Sequence, residues 1–543
     1  KDGFEWSISQ STFIAAPGDN LTATADGGPL FSYTTTYLST NKMFEDGYQY
    51  SVTLAGDDKA ANTATASSLS FLYDMSLPTA TMTVPLPTAV INTLATISGT
   101  ARDPNPKLGD SNSSPSGVAG VEVRIQRLAN GSCFGGVNFG TVCSLPAAWL
   151  PATGFYQSAP GVATFTYTNA NLDIALVSGQ YSIAVRAADV AGNVQAEFTA
   201  AGSSFTLTVD KDAPAIAITQ PSLAAYTPAS AEATGVQGTA GDPLVNGTSS
   251  GLLIPGVEVN LWYLAGGTSW YWNGATFAAA PGTVTASGES WTIFNVPSAA
   301  QFAAPGDKVF YARARAHDAS TLADGSVSTS SGNVSGFTAV RSFIVDGTPP
   351  ISTMTGVVDG SYVNALTVLN GTHDGSLSGT SKVEVRITTN PVTGPDWTGS
   401  SYTFTTPYWT TATLAGLNWS YSDLAGAFAD NRLYFIYARA TDLVGNVQSP
   451  PAVYGVHYDL TPPSISIAFP SSPPANPAYS NNAESTRVST YTWGAISDAG
   501  TGASGVAEVW VAVSSGAAQD VWWNEAARDF TTSQSSVAWS TQV

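Results

Sequence analysis

Tyr181-Ser-Ile-Ala-Val-Arg-Ala-Ala-Asp-Val-Ala-Gly-Asn193 alternates side chains with period two as far as its Asp, then turns through Gly to an Asn. This is the pattern of a half-buried β-strand ending in a tight turn. The same reading fits Tyr50-Ser-Val-Thr-Leu-Ala-Gly-Asp-Asp58, Tyr311-Ala-Arg-Ala-Arg-Ala-His-Asp318 and Phe435-Ile-Tyr-Ala-Arg-Ala-Thr-Asp442. Asp58, Asp189 and Asp442 each meet an Asn four residues on, at Asn62, Asn193 and Asn446. The Asp318 copy carries an insertion and reaches Gly332-Asn333 later.

Each copy is followed by a second Asp and then a Pro: Tyr73-Asp74, Val209-Asp210, Val345-Asp346 and Tyr458-Asp459. These aspartates are 136, 136 and 113 residues apart. Beyond each lies Gly99-Thr-Ala-Arg-Asp103, Gly238-Thr-Ala-Gly-Asp242, Gly371-Thr-His-Asp374 or Gly494-Ala-Ile-Ser-Asp498. A strand follows at Val121-Glu-Val-Arg-Ile125, Val257-Glu-Val-Asn-Leu261, Val383-Glu-Val-Arg-Ile387 or Val509-Trp-Val-Ala-Val513, and then an aromatic block. Many short strands with frequent turn residues and no convincing helix predict an all-β repeat. The expected units are 74–209, 210–345 and 346–458, with partial units at 1–73 and 459–543.

Asp189-Val-Ala-Gly-Asn193 with Val209-Asp-Lys-Asp-Ala-Pro214 resembles the bacterial immunoglobulin-like repeats of large secreted surface adhesins. The resemblance implies a tandem array of immunoglobulin-like β-sandwich domains. Repeats of 113 to 136 residues exceed a minimal sandwich of about 100, so extra strands or long loops are expected.

Composition supports a folded chain. Of its 543 residues 43% are hydrophobic, enough to bury cores, while only 11% are charged. With 19 Lys and Arg against 39 Asp and Glu the net charge is −20, so no nucleic-acid partner is expected. No apolar run is long enough to insert in a membrane as a helix. The three histidines, His317, His373 and His457, lie in no metal-ligand spacing, and no phosphate loop or paired-carboxylate cleft is visible. A non-enzymatic protein is expected.

Immunoglobulin-type topology would gather acids at each junction. The expected groups are Asp74, Asp103 and Asp189; Asp210, Asp212, Asp242 and Asp318; Asp346, Asp374 and Asp442; and Asp459 with Asp498. Clustered carboxylates repel unless a cation intervenes, and hard oxygen donors suit Ca²⁺. The resembled adhesin repeats often stiffen their junctions with calcium. Turn capping by Asp and Asn is the competing explanation, and both can hold at different junctions.

Two readings also stand for the aromatic blocks. Trp270, Trp272, Trp397, Trp409, Trp522 and Trp523 are either sandwich core or a platform for sugar rings. Cys133 and Cys143 are an isolated close pair, read as a local disulfide in an oxidising compartment, with two free thiols as the alternative.

The chain is therefore expected to be an extracellular or cell-surface stalk, fibre or adhesin shaft. The alternative is a set of glycan-binding accessory modules of a secreted polysaccharide-active protein. The first and last segments carry complementary halves of one repeat. Two explanations are open: a longer array, or strand donation between copies in a head-to-tail filament. A cell-surface or glycan ligand is the other expected partner.

Overall fold

A computed structural model describes residues 44–469 apart from 160, 201, 327–331 and 405–406, and 493–511 apart from 501, with short strands near both ends. The fold is all-β, with short helices at Leu172–Ala175, Pro228–Thr234 and Ala299–Ala303 among the described residues. The chain forms two compact units. The first holds residues 1–222, 234–297 and 311–342; the second holds 223–233, 298–310 and 343–543.

The second repeat is a complete two-sheet sandwich. One sheet runs Gly154–Ala159, Val162–Thr168, Thr96–Arg102, Thr79–Val84. The other runs Phe139–Val142, Ser132–Phe134, Val118–Arg127, Gly179–Asp189, Ser204–Val209, Val90–Ile91, with Leu150–Pro151 attached to Val118–Arg127. Alternation decides the faces. Val121, Val123 and Ile125 enter the core beside Ile183, Val185 and Ala187. Between them Glu122 faces Arg186 across the strands and accepts its Nε at 2.7 Å.

The fourth repeat has the same strand order. Ser352–Thr355, Leu369–His373, Asn418–Tyr421 and Thr413–Ala415 form one sheet. Ser361–Val363, Ala452–Tyr458, Arg432–Asp442, Thr380–Thr388, Asp396–Trp397 and Tyr402–Thr403 form the other. The third repeat is divided between the two units. In the first unit Ala215–Gln220, Gln237–Gly241 and Ser290–Thr292 form a sheet, and Leu252–Ala265 pairs with Thr268–Trp272. In the second unit Tyr226, Phe302, Phe310 and Phe343 pack as an aromatic group.

The Gly of each Gly-Thr motif has a steric cause. A Cβ on Gly99 would meet the Thr81 carbonyl oxygen at 2.0 Å and the Phe165 ring at 2.7 Å. At Gly238 it would meet Trp291 at 2.2 Å, and at Gly371 Trp419 at 2.3 Å. A neighbouring strand's ring crowds each glycine, so only hydrogen fits there.

An aromatic hairpin closes each large sheet, fixed by an indole hydrogen bond in two repeats and by a disulfide in the other. Phe134, Trp272 and Trp397 are equivalent by register and are all buried. The indoles of Trp272 and Trp397 donate to the carbonyls of Asn295 and Asp423, both at 2.7 Å. Phe134 has no such donor, and there Cys133 is bonded to Cys143 across 5.2 Å between Cα atoms. At the position of Cys133 the fourth repeat has Asp396, in a buried ion pair with Arg386 at 2.9 Å.

In the first segment Tyr48–Leu54 pairs with Ser67–Tyr73 in the register of Gly179–Asp189 and Ser204–Val209. Its Val52 and Leu54 are exposed, whereas the equivalent Ile183 and Val185 are buried. Ile465 and Ile467, on Ser464–Phe469, are likewise exposed where Ala80 and Met82 are buried.

Candidate cation sites at the acidic junctions

One side-chain lattice recurs at three junctions. Asp189 ends its strand, and the turn brings Asn193 back so that Oδ1 accepts the Asn193 N–H and Oδ2 accepts Nδ2, both at 2.8 Å. Asn193 Nδ2 also donates to the main-chain oxygen of Asp74 at 2.9 Å. Asn333 does the same for Asp318 and the Asp210 oxygen, and Asn446 for Asp442 and the Asp346 oxygen. The end of the penultimate long strand is thus tied to the linker by which the chain enters the same repeat.

A Ser-Gly pair completes the junction. Ser116 N donates to Asp74 at 2.7 Å and Gly117 N to Asp103 at 2.8 Å. Ser504 N and Gly505 N serve Asp459 and Asp498 at 2.7 and 2.8 Å. At Asp242 the Oδ2 accepts Ser249 Oγ, Ser250 Oγ and Gly251 N. Gly117, Gly251 and Gly505 have φ of 92°, 76° and 79°, which only glycine adopts without strain and which turns successive N–H groups onto carboxylates. The Ser-Gly before each Val-Glu-Val strand was visible in the sequence, but its donors become meaningful only once the linker Asp is beside them.

These contacts collect Asp74, Asp103 and Asp189 into one group and Asp210, Asp242 and Asp318 into another. Within each, carboxylate oxygens lie within 4.8 Å of one another. One oxygen remains unmatched at a recurring position: Asp103 Oδ1, Asp242 Oδ1 and Asp498 Oδ1 are buried without a hydrogen-bond partner. Asp210 Oδ2 is another. Burial, opposed by the Gly117 N–H and reinforced by Asp74 and Asp189, pushes Asp103 up to about 6. Burial also raises Asp210. An unmatched buried carboxylate oxygen facing two further carboxylates fits a hard cation such as Ca²⁺. Each trio would supply the oxygen donors, and the ion would supply the missing positive charge.

Two expected members stay outside. Asp212 is exposed, and its main-chain N–H caps Asp210 at 3.2 Å. Asp374 is exposed and accepts Ile351 N at 2.7 Å. Its motif is one residue shorter than Gly99-Thr-Ala-Arg-Asp103, so strand parity sends Asp374 to the face occupied by Arg102. In that junction burial works to raise Asp346, but donors from Ser378, Thr348 and Ser376 outweigh it and hold it low. Asp459 is held low by the N–H and hydroxyl of Ser504.

Of the two readings of the aromatic blocks, two residues take the core one. Trp272 and Trp397 are core residues with no ring face free. Trp270 stacks on Tyr263 with ring centroids 6.4 Å apart, and Trp409 carries the Arg439 guanidinium at 4.0 Å. The side chains of Trp522 and Trp523 lie outside the described residues. Each histidine has its own partners: His317 lies 3.1 Å from Glu258, His373 bonds Thr380 and the Gly416 carbonyl, and His457 stacks on Tyr362.

No family model matches the chain, and no curated protein matches it. Among solved structures it is similar to a tetra-tandem repeat in the extending region of a large adhesion protein. That likeness has 18% identity, covers 77% of this chain and 83% of that one, and has a TM-score of 0.28. A 1.5-MDa bacterial ice-binding adhesin structure has 16% identity, covers 71% of this chain and 99% of that one, and has a TM-score of 0.28. Extracellular cadherin domains 3–6 of protocadherin gamma B2 have 14% identity, cover 76% and 84%, and have a TM-score of 0.23.

Proposed function

We propose that the chain is a structural stalk segment of an extracellular or cell-surface adhesin or fibre. Serial immunoglobulin-like sandwiches bounded near Asp74, Asp210, Asp346 and Asp459 would transmit load through their linkers. The observation that carries this reading is the repeated bond from Asn193, Asn333 and Asn446 to the linker oxygens of Asp74, Asp210 and Asp346. The same connection made three times fixes how the chain enters each repeat. Ca²⁺ would complete the junctions built around Asp103, Asp242 and Asp498, and an oxidising location is supported by the Cys133–Cys143 bond.

The exposed faces at Val52 and Leu54 and at Ile465 and Ile467 suit coverage by adjoining repeat halves. Such halves can come from the same polypeptide or from a second copy pairing head to tail. Small-angle scattering of the full chain with calcium and with a chelator tests the stalk. An elongated particle that loosens on chelation supports it; a calcium-indifferent globule ends it. Light scattering across a concentration series separates self-association from a monomer.

A further inference from the structure

The insertion that distinguishes the third repeat crosses to the second. Both contacting regions lie in the first compact unit. Thr321 N donates to the Val90 carbonyl at 3.0 Å, and Asn92 N donates back to the Thr321 carbonyl at 3.2 Å. Leu86 N donates to the Ala323 carbonyl at 3.2 Å, and Ala323 packs on the second repeat's core. Val90–Ile91 is an edge strand with Ser204–Val209 on one side; the bridge from Ile91 to Thr321 covers its other side. Residues 319–326 therefore add a strand segment to a neighbouring sheet. The turn at Gly325 has φ 82°, and a Cβ there would meet Leu86 at 2.8 Å.

The strap starts at a carboxylate of the acid trio, and the same carboxylate also holds Asn333. Asp318 Oδ1 accepts Ser320 N at 3.0 Å, Ser320 Oγ at 2.7 Å and Asn333 N at 2.9 Å, while Oδ2 accepts Asn333 Nδ2 at 2.7 Å. Asp318 also faces Asp210 and Asp242, whose Oδ2 and Oδ1 are buried and unmatched. Without a cation the three carboxylates repel one another; a cation among them would offset that repulsion and hold Asp318 where it binds Ser320 and Asn333. The junction at Asp189 closes its turn in four residues and has no strap, so it provides an internal comparison.

We propose that residues 319–326 form a cation-keyed strap: calcium in the Asp210, Asp242 and Asp318 site clamps the third repeat onto Val90–Asn92 of the second. The proposal rests on the cation reading given above. Hydrogen exchange of the full chain, followed in peptides covering residues 84–95, reads the Leu86 and Asn92 amides directly.

Calcium should slow their exchange on the order of ten-fold relative to chelated protein, as expected for loss or gain of one or two hydrogen bonds. Thr321→Pro should bring exchange to the chelated rate with calcium present, because its N–H is gone. Equal exchange in Thr321→Pro and wild type would overturn the strap. If calorimetry detects calcium binding that Asp242→Asn reduces by one site, yet chelation leaves these amides unchanged, the keying is wrong while the cation reading stands. No calcium binding at all sinks the cation reading and the keying with it.

Discussion

Asn193 Nδ2 lies 2.9 Å from the main-chain oxygen of Asp74, 119 residues away in sequence. The same amide closes the turn on Asp189. One side chain thus joins the late part of a sandwich to the linker that begins it. Asn62 makes the local bonds to Asp58 in the same way, on an exposed turn.

Asn193→Ala should therefore destabilise the second repeat by about 2–3 kcal/mol, because it leaves the buried Asp189 with an unmatched oxygen. Asn62→Ala should cost under about 0.5 kcal/mol, as exposed substitutions usually do. Urea unfolding of both variants checks the contrast, and equal costs would refute the role of the linker bond.

Cation stoichiometry separates the junctions. Asp103→Asn and Asp242→Asn should each remove one calcium site in isothermal titration. Asp374→Asn should remove none, since Asp374 points away from its junction. Inserting an Ala between His373 and Asp374 restores the parity of the longer motifs and should add a site. A loss on Asp374→Asn would contradict the geometry.

The pH dependence has a definite sign. Asp103 holds its proton up to about 6, against an ordinary value of 3.8, so the folded state binds that proton more tightly than the unfolded chain. The resulting penalty builds as pH rises from about 4 to about 6 and is fully present above that. In chelated protein, wild type should therefore gain stability between pH 7 and pH 5 relative to Asp103→Asn. Calcium should abolish the difference by stabilising the ionised form. Parallel wild-type and variant melting curves across this range would rule the penalty out.

The hairpin fastenings make another comparison. Replacing Cys133 and Cys143 with Ala opens a short loop and should cost the second repeat about 2–3 kcal/mol. Trp272→Phe keeps a ring but leaves the Asn295 carbonyl without its indole donor, and should cost about 1–3 kcal/mol in the third. Denaturant unfolding of each variant measures these costs; a neutral double Cys variant would show that Phe134 needs no staple.

The all-β class is legible in the chain alone, because period-two alternation such as Val121, Val123 and Ile125 is a local property that survives any packing. It also carried the Asp-Asn turn, whose bonds span only four residues. The close cysteine pair stood out as well, though pairing or free thiols remained open until the structure joined them. Which acids meet depends on the packed fold. Asp103 and Asp374 sit in nearly the same motif, yet one missing residue reverses the face, and the consequence depends on what lies across from it. Trp272 and Trp397 were ambiguous for the same reason: an indole reads alike in core and on surface until the opposing sheet covers it. The strap at Thr321 was legible only as an insertion. Its role arises from an unpaired edge at Val90–Ile91, more than two hundred residues earlier, and such an edge becomes available only when the sheet that creates it has formed.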